Sequence, residues 1–247
     1  MEDETVATDI RSRSEQFARV EADPRSPLSA EWALRQPVAP IEVGASAGLC
    51  LHPDRWRYDF GHGRTVGDPG APLLSTRANA ATPVPNAVPE VVWRAGIDLD
   101  PRDVSDEDDL RWLETLIWPV VNGEEDAGRR KRLPAAADIA RSDPARIDRG
   151  DLLTETARLL EEASRSAESV VVFHSAVLAY LPEDARTEFA DLMASSPATW
   201  IANERLGIVT GTQRIPDAPP EAFAITVDGS PVALADPHGS WLTWLER

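Results

Sequence analysis

Cysteine and lysine are almost missing from this chain of 247 residues, which holds Cys50 and Lys131 and no other residue of either kind. A lone cysteine excludes an internal disulfide, so nothing in the chain asks for an oxidising compartment. The shortage of lysine goes with a shortage of positive charge: Lys plus Arg number 25 against 42 for Asp plus Glu, a net charge of −17. Such a surface repels a phosphate backbone or an anionic membrane, so neither nucleic acid nor membrane is an expected partner. The acid excess suggests a salt-rich cytoplasm or a GC-rich genome, and under the first the fold should strengthen as salt screens carboxylate repulsion. Long apolar runs are absent as well. No stretch reaches the roughly 18 residues of a membrane helix, and the opening "MEDETVATDIRSRSEQF" has no signal-peptide core. A cytoplasmic protein is the expectation. Among the four histidines, His52, His62 and His238 have neither the spacing nor the cysteine partners of a metal site, so no metal is expected.

What is present alternates strand and helix. "PIEVGASAGL" reads as a short buried strand at 41–43, then a glycine turn, then an apolar piece at 49–51 that could open a helix. Pro69, Pro72, Pro83, Pro85 and Pro89 crowd the next segment, which reads as loop. "EVVWRAGIDLDP" repeats the strand plan and ends in acids. Leu110, Leu113, Leu116 and Ile117 recur at helical spacing within 106–121, behind acids suited to a helix start, and Pro119 should end or kink that helix. "RRKRLPAAADIAR" predicts a further helix, and Leu153, Ala157 and Leu160 mark the inner face of one over 152–163. "SVVVFHSAVLAYLP" holds the clearest core strand; Ala185, Phe189, Leu192 and Met193 mark another helix, and "ATWIANE" another strand. The alternation implies a parallel sheet with helices on both faces. "AFAITV" and "SPVALA", joined by Asp228-Gly229, add a closing antiparallel hairpin.

The centre of "IEVGASAGLCL" spells two chemistries. As G-x-S-x-G it would expose Ser46 as a nucleophile, with His238 late enough to serve a triad. Only about forty mostly polar residues precede Ile41, however, and they hold no HGG-type oxyanion motif. As a nucleotide loop it needs glycines that admit backbone N–H groups to a ligand, a helix start behind them, and an acid at the end of the next strand for ribose hydroxyls. Asp98 supplies that acid, with Asp100 the alternative close behind. Glu42, just before the glycines, suits the cationic amino group of S-adenosylmethionine better than the pyrophosphate of a nicotinamide dinucleotide, which it would repel. The terminal hairpin points the same way by fold analogy.

The motifs "IEVGASAGL", "RYDFG", "VVWRAGIDLDP", "RWLETLIWP", "RGDLL", "VVVFHSAVLAYLP" and "PHGSWLTWL" together resemble the prokaryotic domain-of-unknown-function family 2332, a family grouped with S-adenosylmethionine-dependent methyltransferase folds. The resemblance covers residues 41–247, and "EQFARVEADPRSPL" is similar to the family's beginning. Between that stretch and Ile41 it implies a longer helical region than this chain has, and an asparagine where Cys50 stands. It implies an α/β class: a class I methyltransferase-like (Rossmann-like), doubly wound, mostly parallel sheet with a C-terminal antiparallel hairpin. The domain would span 41–247 behind an N-terminal extension at 1–40.

The resulting expectations are specific. Glu42, Gly44, Ser46, Gly48, Asp98, Asp100 and Asp151 would hold S-adenosylmethionine, with Asp151 placed near the adenine amino group by the resemblance. Loop geometry or tight packing would also explain the glycines. Capping a helix would explain Ser46 or Asp151. His174 ends the run "VVVF" at the carboxyl edge of the sheet, where it could act as general base, or else be a hydrogen-bonded histidine beneath the next helix. Tyr180 follows at helical distance and would border the pocket of the substrate, a small-molecule methyl acceptor, or else be ordinary core. Arg129 to Arg132 would hold an anion or simply pair with acids, and the eight tryptophans read as packing groups. The expected activity is methyl transfer to oxygen or nitrogen; a noncatalytic binding module with the same fold is the alternative.

Overall fold

The computed structural model describes residues 37–117, 124–237 and 239–245, with the backbone alone for 124–131. Strand β1 (Val38–Val43) is buried along its whole length. No helix opens behind its glycine turn. A 3-10 turn at Pro53–Arg55 leads instead to β2 (Arg57–Asp59), β3 (Thr65–Val66) and β4 (Leu73–Ser75), a small sheet of order β3-β2-β4, and then to β5 (Arg77–Ala78). One expectation, the helix opening at 49–51, is corrected here. Pro53 keeps His52 out of helical backbone, and Trp56, Tyr58 and Phe60 recur at every second residue, a strand period. All three are at most 1% exposed and anchor a small packed β insertion. The proline-rich segment that follows is mostly loop, as expected, with Pro69, Pro72, Pro83, Pro85 and Pro89 all outside the short strands β4 and β5.

After the insertion come β6 (Ala95–Asp98), α1 (Glu107–Thr115), α2 (Glu124–Ser142), β7 (Arg146–Arg149), α3 (Leu152–Ala163), β8 (Ser169–Ser175), α4 (Glu183–Ala194) and β9 (Thr199–Arg205). Three strands, β10 (Phe223–Val227), β11 (Ser230–Ala235) and β12 (Trp241–Trp244), close the fold. The carboxylate of Asp106 caps α1 by accepting the N–H groups of Asp108 and Asp109, but the helix stops at Thr115, before Pro119 is reached. In α3 the bounds agree with the pattern, while the buried face is Leu152, Thr156, Leu159 and Ala163, one residue ahead of the expected stripe.

The main sheet has nine strands in the order β5-β12-β11-β10-β9-β8-β1-β6-β7. Strands β7, β6, β1, β8 and β9 run parallel, and β9 to β12 form an antiparallel meander that contains the expected hairpin. Asp228 and Gly229 both have positive φ, 48° and 76°, as that tight turn requires. One face packs on α3 and α4 through Ile41, Ile97, Val172, Leu159 and Phe189. The other packs on α2 and the small sheet through Phe173, Ile201, Ala137, Trp56 and Tyr58. This is the mostly parallel sheet with both faces covered that the alternation implied. From β1 the chain first builds outward through β6 and β7, then returns to β8 and β9 on the other side. The reversal lies between β1 and β8, and ligands of open α/β sheets bind at the carboxyl ends of strands flanking such a point.

Candidate functional site

At that edge the turn after β1 is stitched to the end of β6. Gly44 and Ala45 both donate their N–H groups to the carbonyl oxygen of Ile97, at 2.8 and 3.0 Å. The N–H of Ser46 donates to Asp98 Oδ2 at 2.7 Å, and that of Asp100 to Asp98 Oδ1 at 2.8 Å. Ser46 itself sits at φ 51°. The carbonyl oxygen of Asp98 accepts the Gly150 N–H at 3.0 Å, which ties the end of β7 to the same spot. Four of the expected residues, Ser46, Asp98, Asp100 and Asp151, therefore lie along one rim.

The glycines serve packing on their Cα side. A Cβ on Gly44 would stand 2.4 Å from Val177 Cγ2, and one on Gly48 2.7 Å from Ile147 Cδ1, with φ at +68° and +65°. Gly96, in the middle of β6, is a third such position: its Cβ would lie 2.4 Å from that of Ala45. The sequence carries a signal for it, since a glycine inside a strand marks close approach of another backbone. Glu42, paired in register with Gly96 and Phe173, is wholly buried in β1.

Asp100 is paired with Arg149 at 2.9 Å and with Arg102, which also binds Asp109 and lies 5.6 Å over the ring of Trp112. Between the two acids, Leu99 is 72% exposed, an apolar side chain at the rim that no periodicity in the sequence singles out. Asp151 takes the capping role: its Oδ1 accepts the Leu153 N–H at 2.8 Å at the start of α3. Tyr180 stands half exposed in the 3-10 turn Leu178–Tyr180 after β8.

His174 is not placed as a base. It is wholly buried, its Nδ1 bonded to Glu204 Oε1 at 2.9 Å and its Nε2 accepting the indole N–H of Trp200 at 2.9 Å. With the Trp200 donor on Nε2, the ring carries its proton on Nδ1 and donates it to the carboxylate. It is the hydrogen-bonded histidine of the alternative reading, beneath α4, whose Phe189 ring it meets edge-on at 5.8 Å. Glu204 and Trp200, the partners that decide this, are marked in the sequence only as a polar and a bulky residue within a strand.

The serine-nucleophile reading finds no support at Ser46: among the described residues no histidine is hydrogen-bonded to it. His52 is buried against the carbonyl of Asp143, and His238 lies outside the described residues. The side chains of Arg129, Arg130 and Lys131 in the basic run also lie outside them. No group of His, Cys, Asp and Glu suited to a metal occurs among the described residues, and no helix there is long and apolar enough to cross a membrane.

A family model described as an uncharacterized protein conserved in bacteria, DUF2332, matches residues 26–244. The match spans the main sheet, the β insertion and the stretch before β1, and its description names no reaction. No curated protein and no solved structure matches the chain.

Proposed function

The chain belongs to the DUF2332 family of uncharacterized bacterial proteins, and on that premise we propose that it binds S-adenosylmethionine at the carboxyl edge of its main sheet. The fold reading that goes with this is class I methyltransferase-like, and the activity is methyl transfer to an oxygen or nitrogen of a small molecule. The observation that carries the reading is the bond from the Ser46 N–H to Asp98, which sets the glycine turn and a strand-end carboxylate on one spot at the topological switch point.

The residues fit the adenosyl group in three respects. An ionised carboxylate has about four acceptor positions, and two backbone N–H groups use one on each oxygen of Asp98. The remaining positions suit a pair of vicinal ribose hydroxyls. Leu99 beside it offers an apolar surface to a purine face, with Asp100 and Asp151 near on the same rim. Although Arg102 and Arg149 pair with Asp100, the acids of this rim outnumber its arginines, which suits a cationic sulfonium better than a pyrophosphate. Two features set the approach. The Cα sides of Gly44 and Gly48 are filled by Val177 and Ile147, and the N–H groups of Gly44, Ala45, Ser46 and Gly48 are bonded within the protein, so the turn would shape the ligand's approach without those donors. The turn leads into a 3-10 turn and a strand rather than a helix N-terminus, so the holding falls to Asp98.

When bound, S-adenosylmethionine supplies an electrophilic methyl group. The protein's part is alignment: Asp98 fixes the ribose and the glycine turn orients the amino-acid end of the ligand, so that an acceptor can approach in line with the breaking bond. Because His174 is sealed, the proton of the acceptor is not taken by that residue, and an acceptor that is already nucleophilic fits best. The same sealing favours a second reading, a binding or regulatory module that holds the ligand without turnover.

Isothermal calorimetry tests the proposal. Titration with S-adenosylmethionine and with its demethylated product should each give micromolar binding, and NAD none. Asp98→Asn should weaken both at least tenfold, roughly the cost of a lost charged hydrogen bond. No heat from either adenosyl ligand refutes the reading. Release of the demethylated product in the presence of a metabolite extract then separates enzyme from module.

A further inference from the structure

We propose that Glu204 is a positioning residue: it holds the loop after β8 against the glycine turn and so sets one wall of the carboxyl-edge site. That the wall faces a ligand rests on the proposed S-adenosylmethionine site; the anchoring itself does not.

Glu204 lies in β9, separated from β1 by β8, and is 1% exposed. Its Oε1 gathers three donors, the N–H of Val177 at 2.8 Å, the N–H of Leu178 at 2.9 Å and His174 Nδ1 at 2.9 Å. The loop it grips starts at Ala176, whose φ of 55° is unfavourable for a residue with a Cβ. The Ala176 N–H is fixed in turn to the carbonyl of Asn203 at 3.0 Å. Held in this way, Val177 points its Cγ2 into the space that only a glycine at 44 leaves open. A chain of contacts thus runs from the carboxylate through Val177 to the turn.

His174 is the second half of the device. The Trp200 indole N–H, by occupying Nε2, commits the imidazole to donate from Nδ1 to Glu204. Edge contacts of Phe189 with both rings, each at 5.8 Å between centroids, hold the pair in place. Stability alone does not call for a charge here. A buried carboxylate is costly to desolvate, and Glu204 Oε2 has no hydrogen-bond partner among the described residues. An apolar side chain of the same volume would fill the space but would leave the Val177 and Leu178 N–H groups and His174 Nδ1 without their acceptor, and so release the loop.

Amide hydrogen exchange in the ligand-free protein decides the anchoring. The Val177 and Leu178 amides should exchange as slowly as those of β8, although they lie in a loop. Glu204→Met should speed both at least about tenfold while β1 and β10 stay protected, and Glu204→Gln, which keeps an acceptor oxygen, should restore most of the protection. Trp200→Phe, which frees His174 Nε2 but leaves the amide contacts in place, should speed the two amides less than Glu204→Met does. Affinity for S-adenosylmethionine should fall with Glu204→Met and recover with Glu204→Gln. Fast exchange of the two amides in the wild-type protein overturns the proposal. So does unchanged exchange in Glu204→Met, or an equal rise across every strand. Should Glu204→Met not fold, the wild-type and Glu204→Gln patterns decide the matter. If the wild type binds no adenosyl ligand, the functional reading falls, and the exchange pattern still judges the anchoring.

Discussion

His52 is buried at the far end of the sheet from the candidate site, with its Nε2 donating to the carbonyl oxygen of Asp143 at 2.8 Å. Burial pushes its pKa below the ordinary 6.5; the bond to Asp143 opposes this, Arg94 adds to it, and the Asp54 and Asp143 carboxylates oppose it. The folded protein therefore binds a proton at His52 less readily than the unfolded chain does. The stability this contributes is complete above about pH 6.5 and is lost as the pH falls from there through the lowered folded value. In His52→Gln the amide can donate to the same carbonyl without titrating. Urea denaturation at about pH 7.5 and pH 5.5 should show the wild type losing more unfolding free energy than the variant. Equal losses would show that His52 does not titrate in this way. His174 shares the burial but differs in its partners: His52 faces a carbonyl, His174 a carboxylate and an indole.

In α3 the choice of buried face and the cap act together. "LLTETARLLEEA" offers two apolar stripes one residue apart, and the helix buries Leu152, Thr156, Leu159 and Ala163. That register turns Glu155, Arg158 and Glu162 toward β7, where Arg158 and Arg146 share Asp148 and Glu162. These pairs tie α3 to the edge strand of the sheet, and the charged side chains of Arg146, Asp148 and Arg149 on that strand discourage pairing with another chain. At the start of the helix, Asp151 accepts the Leu153 N–H. Asp151→Ala should lower stability by about 1 kcal/mol in denaturant unfolding, and Asp151→Ser should recover most of it. If the alanine variant keeps full stability but loses affinity for S-adenosylmethionine, the residue serves a ligand rather than the helix.

The whole molecule carries a charge of −17, and its arginines are spread thinly among 42 acids. Acid stretches such as Asp106 to Asp109 lie on the surface at the start of α1. Carboxylate repulsion at this density weakens the compact state at low ionic strength, where the Debye length is about 30 Å, and is largely screened near 1 M salt at about 3 Å. The thermal midpoint followed by circular dichroism should rise as sodium chloride goes from millimolar to molar. A flat response would show that the acid excess is a matter of composition and not of adaptation to salt.

Local pattern alone determined much of this protein. The apolar runs and their periods give the parallel strands, the bounds of α3 and the turn at Asp228-Gly229, because burial repeats every second residue in a strand and about every third or fourth in a helix. The glycine turn and Asp98 were legible as candidate site residues for the same local reason: each ends a core strand. Only the tertiary structure decided the rest. Ser46 and Asp98 meet across 52 residues of chain, with a folded β insertion between them. Whether the donors and acceptors of His174 face solvent or protein depended on Trp200 and Glu204, two positions on the neighbouring strand. A buried polar group must find partners, but its own sequence position does not say which, since hydrogen bonds between strands are set by register and docking rather than by neighbours along the chain.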